Sequence, residues 1–412
     1  MGKEQACFSR RRNKSVLIIS AVDIWSMGNK KGAQTLWYTL KGFADSYWKV
    51  FFLTSGEIDN CYHNLHKNIE VKNFSTLFFK RWMSIKTIKF FIRPIWWLYF
   101  QLKMFALGSK IARSHDIDIF YGYEVIGTPV SKLLSLRFKK PFVSRFQGTI
   151  LKPKMTSKLW KLRHWHHYIG MKLSSDLVIM TNDGTEGDKV LSQLNIDMQK
   201  VKFWMNGVNK NIYNPVFDKD DFKEKHGISK QTKIILSVSR LVYWKRVDRI
   251  IYAMREIGAS FPDVKLLIIG DGPEKNNLEK LTTALSLNRY ILFIGSVPHN
   301  EVFDYLNCAD LFTSLYDLSN VGNPLLEAMM CGKCIITLNN GDTGRFIENE
   351  KNGILLDIEN LNKLSAIACR ILKEEEQRKL LGQKAREFAE SHLWSWDERM
   401  NAEINAVERL LK

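Results

Sequence analysis

The sequence predicts an α/β protein built on two doubly wound parallel sheets. Short apolar runs rich in β-branched and aromatic residues recur along the chain without the alternation of half-exposed strands. Helical patterns separate them, as parallel strands require. The rhythm breaks near 211–221, where Pro215 and a charged stretch interrupt it, and 412 residues suffice for a core on each side.

In chain order, the first expected strand is Val16–Ser20. Arg10-Arg11-Arg12 precede it, but the apolar run is too short for a signal core, so no targeting peptide is expected. Ala6 stands where a myristoylation site would carry a hydroxyl. The remaining strands of this set are Val50–Thr54, Ile117–Tyr121, Phe142–Phe146, Leu177–Met180 and Val201–Trp204. The second set is Ile234–Val238, Leu266–Ile269, Ile291–Ile294, Leu311–Thr313 and Ile335–Leu338. Ligands of open parallel sheets bind beyond the strand C-termini, so chemistry is expected in the cleft between the two sets.

The chain carries a net charge of +18, unevenly placed. Residues 1–210 hold 34 Lys and Arg against 14 Asp and Glu, and the remainder 27 against 29. Such a basic half attracts nucleic acid, anionic lipid or phosphorylated acceptors. From Lys80 to Arg113, the cations Arg81, Lys86, Lys89 and Arg93 interleave with Trp82, Trp96 and Trp97. A basic helix with aromatics suits an anionic membrane surface, or else packs on its own domain with a solvated basic face. Arg93 and Pro94 break the apolar stretch well short of about 18 residues, so no membrane span is expected.

Six scattered cysteines fit a reducing compartment. Cys331-Gly332-Lys333-Cys334 lacks a second pair, and Gly332 reads as a helix end. His164, His166 and His167 have no neighbouring Cys or carboxylate cluster, so surface or groove-lining roles are expected and no metal site.

Arg240 and Lys245 follow the first strand of the second set, where two cations can clamp a diphosphate and stabilise charge that grows as it leaves. Gly270-Asp271-Gly272-Pro273 is a strand running into a tight turn and marks architecture. In Ser319-Asn320-Val321-Gly322-Asn323-Pro324-Leu325-Leu326-Glu327, Asn323 is expected to cap a helix, with Pro324 at its first position. Such a helix start receives phosphate, and Glu327, expected in the first turn, accepts from hydroxyls.

Together these motifs resemble the retaining glycosyltransferases of family 4, which have the GT-B fold of two Rossmann-like domains. The resemblance rests on Arg240 and Lys245, the 270–273 turn, the Phe293-Ile294-Gly295-Ser296-Val297 strand end and the Pro324–Lys333 helix. Upstream, Lys31-Gly32-Ala33-Gln34 looks like the family's glycine loop, and Asn206-Gly207-Val208-Asn209 like the end of its first domain. Trp394-Ser395-Trp396 looks like the start of a helix crossing back to that domain. The implied domains are 1–210 with 395–412, for the acceptor, and 211–394, for the donor.

The resemblance implies that Arg240 and Lys245 hold the diphosphate and Glu327 the ribose hydroxyls. It places the backbone of Gly322, Asn323, Pro324 and Leu325 against phosphate and sugar, Ser296 and Val297 against the base, and Gly32 near the donor. It implies a nucleotide-diphosphate sugar as co-substrate, UDP ahead of GDP, with no metal and no other cofactor. The expected partners are a lipid-linked or glycan acceptor and an anionic membrane surface, at the cytoplasmic face. Asp116-Ile117-Asp118 is expected to be incidental.

Two positions depart from the family pattern. Ser319 stands where the family commonly has a Glu, and Gln147 stands for a His. Gln can hydrogen-bond a sugar but cannot shuttle a proton. Asp317 and Asn320 are candidates to take over sugar contacts. Other readings are a degenerate scaffold of the same fold, a nucleotide-sugar epimerase, which Ser319 speaks against, and a nucleic-acid-binding protein, for which no recognition module is present.

Overall fold

The computed structural model describes residues 13–22, 34–55, 66–76 and 88–412. Gly32, Arg81 and Lys86 lie outside the described residues, as does the side chain of Lys89.

Seven strands form the first sheet: β1 Ser15–Ser20, β2 Lys49–Thr54, β3 Ile69–Asn73, β4 Ile119–Tyr123, β5 Phe142–Phe146, β6 Leu177–Thr181 and β7 Val201–Trp204. Six form the second: β8 Lys233–Val238, β9 Val264–Ile269, β10 Ile291–Gly295, β11 Leu311–Ser314, β12 Cys334–Leu338 and β13 Ile354–Leu356. Their orders are β3-β2-β1-β4-β5-β6-β7 and β10-β9-β8-β11-β12-β13. Every pairing between these strands is parallel. The order reverses beside β1 and beside β8, which opens a crevice at the strand C-termini of each sheet.

Alternate residues of each central strand feed opposite layers. Val16 and Ile18 of β1 pack with Leu36, Leu40, Met400 and Ile404, while Leu17 and Ile19 pack with Phe100, Met104 and Leu134. The long helix Trp396–Glu408 thus completes the first sheet's core, although it follows the second sheet in sequence. A capping box starts it: Ser395 Oγ accepts from the Glu398 N–H at 3.1 Å, and Glu398 accepts from the Ser395 N–H at 2.6 Å. Trp396 stacks on Tyr38 at 4.0 Å, and Val208 bridges Ser395 where the chain passes between sheets.

The strand β4 ends at Tyr123, two residues beyond the expected Tyr121. Strands β3 and β13 were not expected. The Ile-Glu-Val-Lys-Asn of β3 alternates and is half-exposed, because an edge strand buries little, and β13 has three residues. Asp116 and Asp118 brace the start of β1: Ser15 donates its hydroxyl to the Asp116 carbonyl at 2.6 Å and its N–H to Asp118 at 2.8 Å.

Candidate active site

On the first sheet, the C-terminal ends of β4, β5 and β6 bring together Glu124, Gln147 and Asp183. Glu124 sits in the left-handed region at φ +63° and accepts the Gln147 N–H at 2.7 Å. Burial pushes its carboxyl up to about 7, opposed by that N–H and by Arg145, and Asp183 adds to the rise. The Gln147 amide donates to the Tyr123 hydroxyl, which also meets Thr35 at 3.0 Å. Gly148 has φ +135°, and a Cβ there would lie 2.5 Å from both carboxylate oxygens of Asp183. Only glycine fits beside that acid.

On the second sheet, the loop after β8 carries Arg240 and Lys245. Arg240 is exposed and makes no ion pair among the described residues. The Gly270 turn supports this loop from below: a Cβ at Gly270 would stand 1.8 Å from the Ser239 carbonyl. Lys245 is half-buried and donates to the Ser319 carbonyl at 2.8 Å, with its ammonium 4.1 Å from the Tyr316 ring centre. Burial lowers its pKa to about 8, and Asp183 opposes the fall.

The helix after β11 spans Asn323–Met330, and Gly322 is its cap. Asn323 is therefore the first helical residue, so the helix starts one place earlier than expected, and the Asn323 side chain accepts from Asn206 at 2.9 Å. Glu327 accordingly lies past the first turn. It is buried at 3% exposure and meets Nε2 of His299 at 2.8 Å. Ser296 and Val297, at the end of β10, and Gly322 and Pro324 are half-buried, while Leu325 is buried.

Asp317 and Asn320 are committed elsewhere. Asp317 pairs with Arg249 at 2.6 Å and Arg246 at 3.4 Å. Asn320 is fully buried and ties its own loop, accepting from the Tyr316 N–H at 3.1 Å and donating to the Tyr316 carbonyl at 3.0 Å.

Residues 218–388 match the family described as glycosyl transferases group 1. Over that stretch the chain resembles the group 1 glycosyl transferases. An N-acetyl-alpha-D-glucosaminyl L-malate synthase of Bacillus anthracis is 31% identical over 195 residues, which are 47% of this chain and 49% of that protein. A GDP-mannose-dependent monoacylated alpha-(1-6)-phosphatidylinositol monomannoside mannosyltransferase of Corynebacterium glutamicum is 25% identical over 71% of this chain and 86% of its own length. The match therefore spans about half of the first relative and most of the second. The fold is similar to that of Anabaena HepE, solved with UDP and glucose, at TM-score 0.72 and 18% identity over 96% of this chain and 100% of that one. The fold, two doubly wound parallel sheets, is GT-B as in that structure.

Among the described residues, no group of three His, Cys, Asp or Glu could hold a metal ion. Cys331 and Cys334 are buried thiols that burial pushes up to about 12. Gly332, at φ +63°, ends the helix between them. His166 is buried, not at the surface, and receives an Arg93 N–H at 2.8 Å. Burial holds its pKa down at about 3 and that of His167 at about 4.

No helix among the described residues is long and apolar enough to cross a membrane. On the helix Lys89–Ser114, Trp96 and Trp97 turn inward, toward Phe100 and Trp165. The outward face is instead Phe91, Ile95, Leu98 and Leu102, exposed by 54–70%. Glu124, Asp183 and His299 are the site groups that sequence reasoning missed. An acid following a parallel strand was the available signal for Glu124.

Proposed function

We propose that this protein is a retaining glycosyltransferase. It transfers a sugar from a nucleotide-diphosphate donor, a UDP-sugar ahead of a GDP-sugar, to a lipid-linked or glycan acceptor at the cytoplasmic membrane face, in cell-surface polysaccharide or glycoconjugate synthesis. The observation that carries the reading is the arrangement around the helix start at Asn323. Lys245 reaches Ser319 on one side of it, and Glu327 lies beyond it beside His299. A cation and a helix start suit a diphosphate, and a buried carboxylate suits ribose hydroxyls.

In this reading Arg240 and Lys245 neutralise the charge that grows as the diphosphate departs. The bond from the anomeric carbon to the phosphate oxygen breaks, and the acceptor oxygen bonds that carbon on the same face. The acceptor's proton passes to the departing phosphate oxygen. Glu124 and Gln147 line the opposite, acceptor-side wall. The cations and the helix start take the part a metal ion would otherwise play. The exposed Phe91–Leu102 stripe and the basic first half support a membrane-borne acceptor, as does the lipid named for the Corynebacterium relative.

The test is thermal stabilisation by UDP, GDP, ADP and their sugar conjugates in EDTA, for the wild type and Arg240→Ala. A ligand at about a hundred times its dissociation constant adds about 2.7 kcal/mol. One nucleotide stabilising the wild type and not the variant supports the reading. No response in a folded sample would leave a non-catalytic scaffold. The anomeric configuration of the product, read by proton NMR, tests retention.

A further inference from the structure

Asp183 stands just past β6, on the wall of the first sheet, yet its partners come from both sheets. Its Oδ1 accepts from the Thr185 hydroxyl at 2.6 Å and from the Thr185 N–H at 3.3 Å, and the neighbouring Ser319 hydroxyl opposes the rise that burial imposes on the carboxyl's pKa. Its backbone carbonyl accepts the Val321 N–H at 3.0 Å. Gly148 leaves the carboxylate room from the β5 side, and the Lys245 charge acts on it from the β8 side.

The main chain already joins the two loops here, through the Val321 N–H and through Gly184, where a Cβ would come within 3.0 Å of the same nitrogen. The tie therefore does not need an acid at 183. A carboxylate kept here despite its desolvation cost calls for another use. With Glu124 nearby, the floor of the cleft is acidic, while Arg240, Lys245 and the helix start on the facing wall favour anions. A ligand spanning the two would put phosphate on the second sheet's side and neutral hydroxyls on the first.

We propose that Asp183 is a sugar-binding residue, whose carboxylate accepts hydrogen bonds from hydroxyls of the donor's hexose and is aimed by Ser319. The assignment rests on the nucleotide-sugar reading above. Ser319, standing where the acid could otherwise enter from the second sheet, becomes the positioning partner of an acid supplied by the first.

The experiment compares the affinity of a bare diphosphate with that of its sugar conjugates: UDP against UDP-glucose and UDP-N-acetylglucosamine, and GDP against GDP-mannose. Wild type, Asp183→Asn and Ser319→Ala are measured by calorimetry. Asp183→Asn is expected to bind the bare diphosphate within about twofold of wild type and the conjugate about tenfold more weakly. Ser319→Ala should show a smaller loss, also confined to the conjugate. Unchanged diphosphate affinity also reports that the variants are folded. Equal losses for diphosphate and conjugate would overturn the assignment, because Asp183 would then act through Lys245 or the fold. Unchanged conjugate affinity would overturn it outright while leaving the functional reading intact. A wild type that binds no nucleotide would remove both.

Discussion

The Glu403 carboxylate lies 3.5 Å from Nε of Arg145 on β5, and neither side chain reaches solvent. Arg399, one turn back on the same helix, lies 2.8 Å from the same oxygen, and the Tyr121 hydroxyl donates to the other. Against the cost of burial, the two guanidinium groups hold the Glu403 carboxyl below its ordinary range. This cluster fastens the helix Trp396–Glu408 to the first sheet. Glu403→Ala leaves two buried cations without their shared anion and should cost about 3–5 kcal/mol. Urea unfolding measures it, and a loss under about 1 kcal/mol would show the cluster to be replaceable.

Lys245 yields a pH dependence for nucleotide binding. Its folded pKa of about 8 lies below the ordinary 10.5, so the charged form is the destabilised one in the unliganded protein. Diphosphate binding needs the cation, so affinity is full below that pKa and falls above it, by up to about tenfold per pH unit. Lys245→Arg keeps its charge and should flatten the profile. Titration calorimetry from about pH 7 to 10 checks both. A wild-type affinity independent of pH would put Lys245 outside the phosphate site.

Glu124 makes the opposite kind of prediction, on stability. Its folded pKa of about 7 exceeds the ordinary 4.5, so between these values the native state binds more protons than the unfolded one. Its contribution is therefore present in full below the unfolded pKa and is lost as pH rises through the folded one. Asp183 and Arg145 share the cluster, so the contrast with Glu124→Gln isolates the residue. The variant should lose that part of the decline in chemical-denaturation stability between about pH 5 and 8. Parallel curves for the two proteins would deny Glu124 its shifted pKa.

The central strands were legible because they are buried on both faces and read as unbroken apolar runs. The edges were not: β3 needs cover on one side only, and its Glu70 and Lys72 hide the strand. The site divides the same way. Arg240, Lys245 and Glu327 sit in contiguous motifs, whereas Asp183 meets Ser319 only because the two sheets bring them together. Glu124 was hidden by a strand end placed two residues early. Trp96 and Trp97 were expected either at a membrane-facing surface or on a helix packed against its own domain; they pack inward, and the twist of the helix presents Phe91, Ile95, Leu98 and Leu102 outward.

Glu327 and His299 predict how the ribose is held. A carboxylate bonded to a neighbouring imidazole at 2.8 Å keeps one orientation and can take a hydroxyl on its remaining lone pairs. Glu327→Gln should weaken binding of the preferred nucleotide about tenfold, within the range for a hydrogen bond to a charged group. The 2′-deoxy nucleotide should lose about as much on the wild type and little further on the variant, because both changes remove one contact. Additive losses would place the 2′-hydroxyl elsewhere.

The exposed stripe on the helix Lys89–Ser114 makes the membrane part of the reading measurable. Phe91, Ile95, Leu98 and Leu102 recur at helical spacing, so they share a face that water meets in the isolated protein. Inserting a leucine into the acyl boundary recovers about 1.5–3 kcal/mol, and a glutamate there adds repulsion from anionic headgroups. Leu98→Glu with Leu102→Glu should therefore lower sedimentation with phosphatidylglycerol vesicles by more than about tenfold. Salt should release the wild type only in part, since it screens the basic half and leaves the apolar contacts. The two leucines lie outside the nucleotide site, so nucleotide affinity should be unchanged. Full vesicle binding by the double variant would move the contact to another face of the first sheet.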